Sequence, residues 1–354
     1  MYSQFKCFKK TISVAISITF MIGSANSFAR STKGIEVIPS ENSKKVDILY
    51  DGKLFTSYIY PDNLEKPVLY PVYTSKGTIV TRGFPREPRP GERVDHPHHV
   101  GIWFNYGSVN GLDFWNNSYA IPQEKKNLYG HIKHLKIIKA ESGPKMGTLI
   151  VETQWLDSNN NLVLTEQTKF EFTGDKDIRR IDRTTTLTAK EQKVVFKDNK
   201  EGLMGMRVDR AFEEPSEKPE VFTDANGNPT TVAALNNEGV NGAYRSSTGL
   251  DKGAVWGTRA NWVKLSATKN NEPITIAITD NKQNVGFPAH WHARGYGLFG
   301  VNNLAAKTFN PKEPETSYTL DPGKSTTFKY RILVKSGSFL SDEEMNREFE
   351  EFNK

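Results

Sequence analysis

The chain has 354 residues, is 36% hydrophobic and 25% charged, and carries a formal net charge of +6. This composition suits a globular chain and excludes a collagen, a low-complexity polymer or a polytopic membrane protein. Aromatics at 11%, beside 27 Gly and 18 Pro, favour strands joined by tight turns.

At the amino terminus Lys6, Lys9 and Lys10 precede an apolar run from Thr11 to Ala25, and Ser27 and Ala29 are small residues at the −3 and −1 positions of a cleavage site. This layout predicts a secretory signal peptide over residues 1–29, cut after Ala29. The run is too short and poorly flanked for a stable membrane span. Cys7 lies ahead of the run, which argues against a lipoprotein anchor. Cleavage removes three lysines and no acid, so the formal charge falls from +6 to +3, and the single cysteine leaves with the peptide. The mature chain is expected to be exported to the periplasm, with an extracellular location as the alternative, and to fold without disulfides. So small a charge gives no argument for a nucleic-acid partner. The oligomeric state stays open.

Beyond residue 30 short alternating segments dominate. Lys45–Tyr50 and Lys53–Tyr60 flank Asp51-Gly52, a dipeptide that readily supplies the positive φ angles of a hairpin turn. Thr148–Leu156 places Leu149, Val151, Thr153 and Trp155 on one face. After the turn at Asn159–Asn161, Leu162–Phe172 alternates in phase, and Gly174-Asp175 leads into Asp177–Thr188. Ile274–Thr279 and Thr326–Val334 carry the same β-branched signature. Only the tail reads as a helix: Ser341 caps a start on Asp342, Glu343 and Glu344, with Met345, Phe349 and Phe352 on one side. The expectation is an all-β protein: a single domain over residues 30–354, built as a large antiparallel β-sandwich with a short C-terminal helix.

All seven histidines fall into three clusters: His96, His98 and His99; His131 and His134; His290 and His292. Imidazole is the usual proton-transfer group near neutral pH and a common metal ligand. Positions i and i+2 of a strand share a face, so His290 and His292 are candidates for one cleft, while His131 and His134 point to opposite faces. Upstream, Thr81–Arg93 carries Arg82, Arg86, Arg89 and Arg93, whose forked donors suit carboxylate or sulfate. A solvated basic loop is the plainer reading. Downstream, Trp103, Asp113 and Trp115 lie in a Gly-rich aromatic stretch fit for stacking on sugar rings, or for core. Trp291, His292, Arg294 and Tyr296 place an aromatic ring, a base, an anion binder and a phenol within six residues.

The blocks Asp95–Trp115 (DHPHHVGIWFNYGSVNGLDFW), Glu201–Val208 (EGLMGMRV), Trp256–Val263 (WGTRANWV) and Phe287–Asn302 (FPAHWHARGYGLFGVN) resemble those of the bacterial "PmoA family" of exported proteins. That label borrows the name of a membrane-embedded methane-oxygenase subunit, which this chain does not resemble in having no expected spans. The resemblance implies a galactose-mutarotase-like sandwich, carbohydrate as the substrate class, and one site formed by His96, His98, His99, Glu201, Arg207, His292, Arg294 and Tyr296. Val100 stands where family members often carry an arginine after the histidine pair.

Three functions follow. The first is a lyase or dehydratase that performs β-elimination on uronate-containing oligosaccharides. There His98, His99, His292 and Tyr296 would divide the proton work, with Arg82, Arg93, Trp103, Asp113, Trp115, Arg207, Trp291 and Arg294 binding substrate. The second is a hydrolase or epimerase, for which Asp95, Asp113 or Glu201 would supply carboxyls. The third is a non-catalytic oligosaccharide binder, which leaves the clustered histidines unexplained. No cofactor is demanded by the sequence; a divalent metal on His96, His98, His290 and His292 is an option, without a tight ligand motif to require it. Amino-terminal sequencing of the exported protein should read from Arg30; a start at Met1 would refute the leader.

Overall fold

The computed structural model describes residues 1–2, 33–218, 220–224, 226, 228–232 and 237–354. Apart from Met1 and Tyr2, the proposed leader lies outside the described residues. The strands run, in chain order, as β1 (Ile35–Ser40), β2 (Lys45–Tyr50), β3 (Lys53–Ile59), β4 (Val68–Val72), β5 (Ile102–Tyr106), β6 (His131–Glu141) and β7 (Met146–Leu156). They continue as β8 (Leu162–Gly174), β9 (Ile178–Thr188), β10 (Val194–Lys197), β11 (Gly202–Arg207), β12 (Glu220–Thr223), β13 (Pro229–Val232) and β14 (Ala243–Ser246). The last are β15 (Trp262–Lys269), β16 (Glu272–Asp280), β17 (His290–Arg294), β18 (Leu298–Asn302), β19 (Ser317–Leu320) and β20 (Ser325–Ser336), before helix α1 (Asp342–Phe352).

Two eight-stranded sheets hold most of these. One has the order β1-β2-β3-β4-β5-β11-β18-β17, the other β14-β15-β16-β20-β9-β8-β7-β6, and every pairing within them is antiparallel. The expected all-β sandwich with its terminal helix is the observed architecture. Residues 32–354 form one compact unit.

The Asp51-Gly52 hairpin forms as expected, with φ of 49° and 74° at its two turn residues. In β7 the alternation of Leu149, Val151, Thr153 and Trp155 turns inward, and all four are buried. The two sheets meet through rings that cross the gap: Phe55 on Phe172, Tyr58 on Phe170, and Phe104 against both Trp155 and Phe328. Each large apolar side chain taken fully from water contributes about 1.5–3 kcal/mol, so this shared layer is the main source of stability. On the outer face of the second sheet, Met345 and Phe349 of α1 pack with Trp262, Ala277 and Leu333. Adjacent Ile332 and Val334 face the inter-sheet core, as the two-residue period requires.

The first sheet positions the site. Across β5, β11, β18 and β17 the register aligns Phe104, Met204, Val301 and Trp291 in one row facing the second sheet. The next row, displaced by one residue and so facing outward, is Trp103, Gly205, Gly300 and His292. Two glycines between two rings make a trough. A Cβ on Gly205 would lie 2.5 Å from Trp103 Cζ2 and 2.9 Å from Trp115 Cη2, so the two indoles occupy the space that the missing side chain leaves.

Helix α1 starts with a reciprocal cap: the Glu344 amide donates to Ser341 Oγ (3.1 Å) and the Ser341 amide donates to Glu344 Oε2 (2.8 Å). Ser341→Ala should lower unfolding stability by about 1 kcal/mol. A urea midpoint that falls with an unchanged slope would register this; an unchanged midpoint would contradict it.

Candidate functional site

The outward face of the first sheet is covered by the loop between β4 and β5, and two arginines fix that loop. Arg82, 1% exposed, donates from Nη1 to the Arg93 carbonyl (3.1 Å) and from Nη2 to the carbonyls of His96 (3.0 Å) and His99 (3.2 Å). It also pairs with Asp95. Arg207, fully buried at the end of β11, donates from Nη2 to the same Asp95 Oδ1 (2.7 Å) and from Nη1 to His99 Nδ1 (3.3 Å). A guanidinium only donates, so His99 accepts at Nδ1 and carries its proton on Nε2. Burial would raise the Asp95 carboxyl, but Arg207 above all, then the His96 bond and Arg82, hold it well below the usual carboxylate range.

The other Asp95 oxygen takes the third histidine. His96 Nδ1 lies 2.9 Å from Asp95 Oδ2, and the ring is 40% exposed. Donation from Nδ1 to the carboxylate leaves Nε2 as a free lone pair directed away from Asp95. His96 sits at φ 42°, a left-handed conformation that costs a non-glycine residue about 1 kcal/mol, and the arginine–carboxylate scaffold offsets that cost.

From this point the rings stack. Trp103 lies on His99 (centroids 5.0 Å apart, planes at 15°), His99 on His96 (4.9 Å, 3°) and His96 on Tyr296 (5.0 Å, 3°). His98 meets His96 and His99 edge-on. At the outer end the guanidinium of Arg207 lies 5.0 Å from the Tyr296 ring centre and that of Arg294 lies 5.8 Å away. Arg294 also faces Trp256 at 5.3 Å and makes no ion pair with any described residue. It lines a cavity of about 410 Å³ together with Tyr296, Trp256 and Glu214. Burial raises the Tyr296 phenol, against the opposing pull of Arg207 and Arg294, so at neutral pH it is a proton donor.

Glu201 and His292 complete the group. Glu201 Oε2 stands 3.6 Å from His292 Nδ1, which is buried without a hydrogen-bond partner. Burial raises the Glu201 carboxyl. Of the three carboxylates considered as acid–base groups, Glu201 is the least committed, its Oε1 meeting only the half-exposed Lys200 ammonium (3.5 Å). Asp95 is held by the arginines, and Asp113 accepts from the amides of Trp115 (2.8 Å) and Asn116 (2.9 Å).

Several expected site residues have other work. Arg93 is 3% exposed and paired with Glu213 (3.0 Å) and Glu220 (2.8 Å), so it braces the loop instead of binding substrate. Arg82 and Arg207 direct their Nη groups to Asp95 and the histidine loop. Trp291 points into the inter-sheet core, where Nε1 donates to the Ala260 carbonyl (2.9 Å). Trp103 and Trp115 are fully buried and form the inner wall of the trough, not a sugar platform. His99 and His292, at 1% and 3% exposure, lie behind the surface, while Tyr296 and His98 line cavities.

The four-imidazole metal set is not assembled. His290 stacks on Phe309 (5.2 Å) with Glu313 Oε1 at 3.7 Å, apart from the His96–His98 contact, and among the described residues no three His, Cys, Asp or Glu side chains converge to hold an ion. His134 stacks on Tyr60 (3.9 Å) and His131 meets Asn160 (3.2 Å), leaving this cluster outside the site. The residue that sequence reasoning underrated is His96, placed in the shared site by the resemblance but given only a metal ligand's role and no part in the proton work. Its signal was the preceding Asp95, a carboxylate positioned to orient it.

Burial, helped by nearby cations, pulls His98 down to about 2 and His292 to about 3, so both are neutral in the folded protein. In the unfolded chain they titrate near pH 6.5. Below that value the unfolded chain binds protons that the folded chain refuses, so their contribution is complete above pH 6.5 and is lost as pH falls. The melting temperature should therefore drop steadily from pH 7 to pH 4. His98→Gln should reduce the stability slope by at most one proton's worth, about 1.4 kcal/mol per pH unit; an unchanged slope would contradict the assignment.

No curated protein matches the chain. Solved structures of similar architecture include the GH36 α-galactosidase AgaB from Geobacillus stearothermophilus (TM-score 0.41, 10% identity, over 85% of this chain and 40% of that one). A galactose mutarotase-like protein from Clostridium acetobutylicum (TM-score 0.35, 10% identity, 85% and 98%) and a heparan sulfate lyase HepC mutant from Pedobacter heparinus (TM-score 0.35, 9% identity, 88% and 36%) are others. The chain thus spans well under half the length of the α-galactosidase and of the lyase, and at these scores the likeness stops at the all-β architecture. Residues 45–350 match the sequence model of a family of unknown function, DUF6807, and with most of its length matched the chain belongs to that family.

Proposed function

We propose that the protein is an exported carbohydrate-active enzyme that performs β-elimination on a uronate-containing oligosaccharide. The carrying observation is the meeting, on one exposed rim, of a carboxylate-oriented imidazole, a protonated phenol and a guanidinium without an ion-pair partner. Elimination beside a sugar carboxylate needs three services: neutralisation of that carboxylate, a base for the α-proton and an acid for the departing oxygen. Arg294 supplies the first. His96 Nε2 takes the carbon-bound proton while Asp95 holds the ring and stabilises the imidazolium. Tyr296 gives its proton to the leaving oxygen as the carbon–oxygen bond breaks and the carbon–carbon double bond forms. The guanidiniums of Arg207 and Arg294 beside the ring stabilise the phenolate until the proton returns. Export rests on the lysine–apolar–small-residue layout at residues 1–29, and the resemblance to the exported "PmoA family" points the same way.

Hydrolysis by a carboxylate pair is less well supported, because Asp95 and Asp113 are already committed. Epimerisation is the second reading, favoured by the approach of Glu201 to within 3.6 Å of His292, a second carboxylate–imidazole pair in the same group.

Incubation of the mature protein with galacturonate, glucuronate and mannuronate oligosaccharides, followed by mass spectrometry and ultraviolet absorbance, tests this. Elimination yields a new conjugated double bond, with either chain cleavage or loss of one water. His96→Gln should then reduce kcat about 100-fold or more, and Arg294→Met should act mainly through KM. Cleavage by water uptake without new absorbance would refute elimination in favour of hydrolysis; isomers of unchanged mass would favour epimerisation.

A further inference from the structure

On the other side of the histidine loop from Arg294 lies a second cavity, of about 480 Å³, whose lining includes His98, Lys66, Arg86 and Tyr119. Its floor holds an unusual group. Lys66 is 5% exposed, has no carboxylate within ion-pair distance among the described residues, and makes one hydrogen bond, from Nζ to the His98 carbonyl (2.9 Å). An ammonium has three donors, so two are unmet in a site where a charge without a partner is costly. Nζ also lies 5.6 Å from the centre of the Trp103 ring. Burial pulls the amine down to about 8, so it remains largely charged at neutral pH.

The rest of the wall adds positive charge. Arg86 is exposed and also has no ion-pair partner among the described residues. Of the two acids that line the cavity, Glu65 is paired with Lys126 (3.1 Å) and Glu87 accepts from the Tyr70 hydroxyl (3.1 Å). Tyr119, 65% exposed at the rim, offers a ring face to a pyranose. A buried cation with spare donors, an exposed guanidinium and an exposed ring together describe a receptor for a sugar that carries an anionic group.

We propose that this cavity is a second acidic-sugar subsite, in which Lys66 binds the carboxylate of a sugar unit beyond the one held by Arg294. The inference rests on the reading of the Arg294 rim as the reacting site, and narrows its substrate to an oligosaccharide with at least two uronate units. His98, edge-on to both His96 and His99, is the partition between the two sites.

Titration calorimetry with the mature protein tests the subsite, with monomeric and trimeric galacturonate, glucuronate and mannuronate as probes. In one of these series the trimer should bind at least about tenfold more tightly than the monomer. Lys66→Met, which keeps an unbranched apolar stem and removes the ammonium, and Tyr119→Ala, at an exposed position, should each remove most of that increment while the monomer dissociation constant stays unchanged. A trimer that binds no better than the monomer in every series overturns the subsite. So do variants that weaken monomer and trimer equally, or variants that weaken neither. Conjugated product formed without the trimer increment would sink the subsite and spare the elimination reading; the increment without product would do the reverse.

Discussion

Removing a guanidinium from water costs several kcal/mol, and this fold buries two of them, Arg82 and Arg207, against one carboxylate. Neither Arg82 nor Arg207 is close enough to the surface to recover that cost from solvent. Their return is geometric. Between them they take up the carbonyls of His96 and His99, the Asp95 side chain and one nitrogen of His99, so the loop that bears the histidines has a single way to lie. Asp95 is the shared partner, and its second oxygen aims His96. Removing the carboxylate would leave Arg82 buried without an ionic partner, Arg207 with only Glu213 at 4.0 Å, and the base without its guide, so stability and orientation are tied to one side chain.

The same logic divides the charged residues of the site by task. Arginines that looked equivalent along the chain separate into buried braces and two exposed guanidiniums, Arg294 and Arg86, left free for a ligand. The histidines separate likewise. His99 and His292 are neutral packing members, His98 forms a partition, and His96 alone couples a carboxylate partner to an exposed ring. Residue type made all of them candidates; burial and partners distinguish them.

How legible each part was depended on whether its two faces differ. β7, β8, β9 and β20 alternate because one side meets the core and the other is less buried, and their patterns predicted strands at nearly the observed bounds. β5, β11 and β18 are buried on both faces, since loops cover the outer side of their sheet. Their sequences, IWFNY, GLMGMR and LFGVN, therefore lack alternation, and periodicity could not reveal them. These are the strands that carry the site. Composition found its residues, in the His-, Arg- and aromatic-rich blocks, but only the register puts Trp103 and His292 on one row and Trp291 on the opposite face. Lys66 gave no signal at all, because an isolated lysine in a chain with many becomes distinctive only once its burial is known.

The glycine at position 205 has an influence that its size conceals. It sets how deeply the Trp103 indole sinks toward the sheet, and the indole is the first of four nearly parallel rings that end at Tyr296. In a face-to-face stack the position of each ring is inherited from the one beneath it, much as the height of a pile is set by its lowest member. The floor of the sheet therefore acts as the datum for the rim, and the placement of a surface imidazole is calibrated by the absence of a single carbon atom beneath the two rings under it.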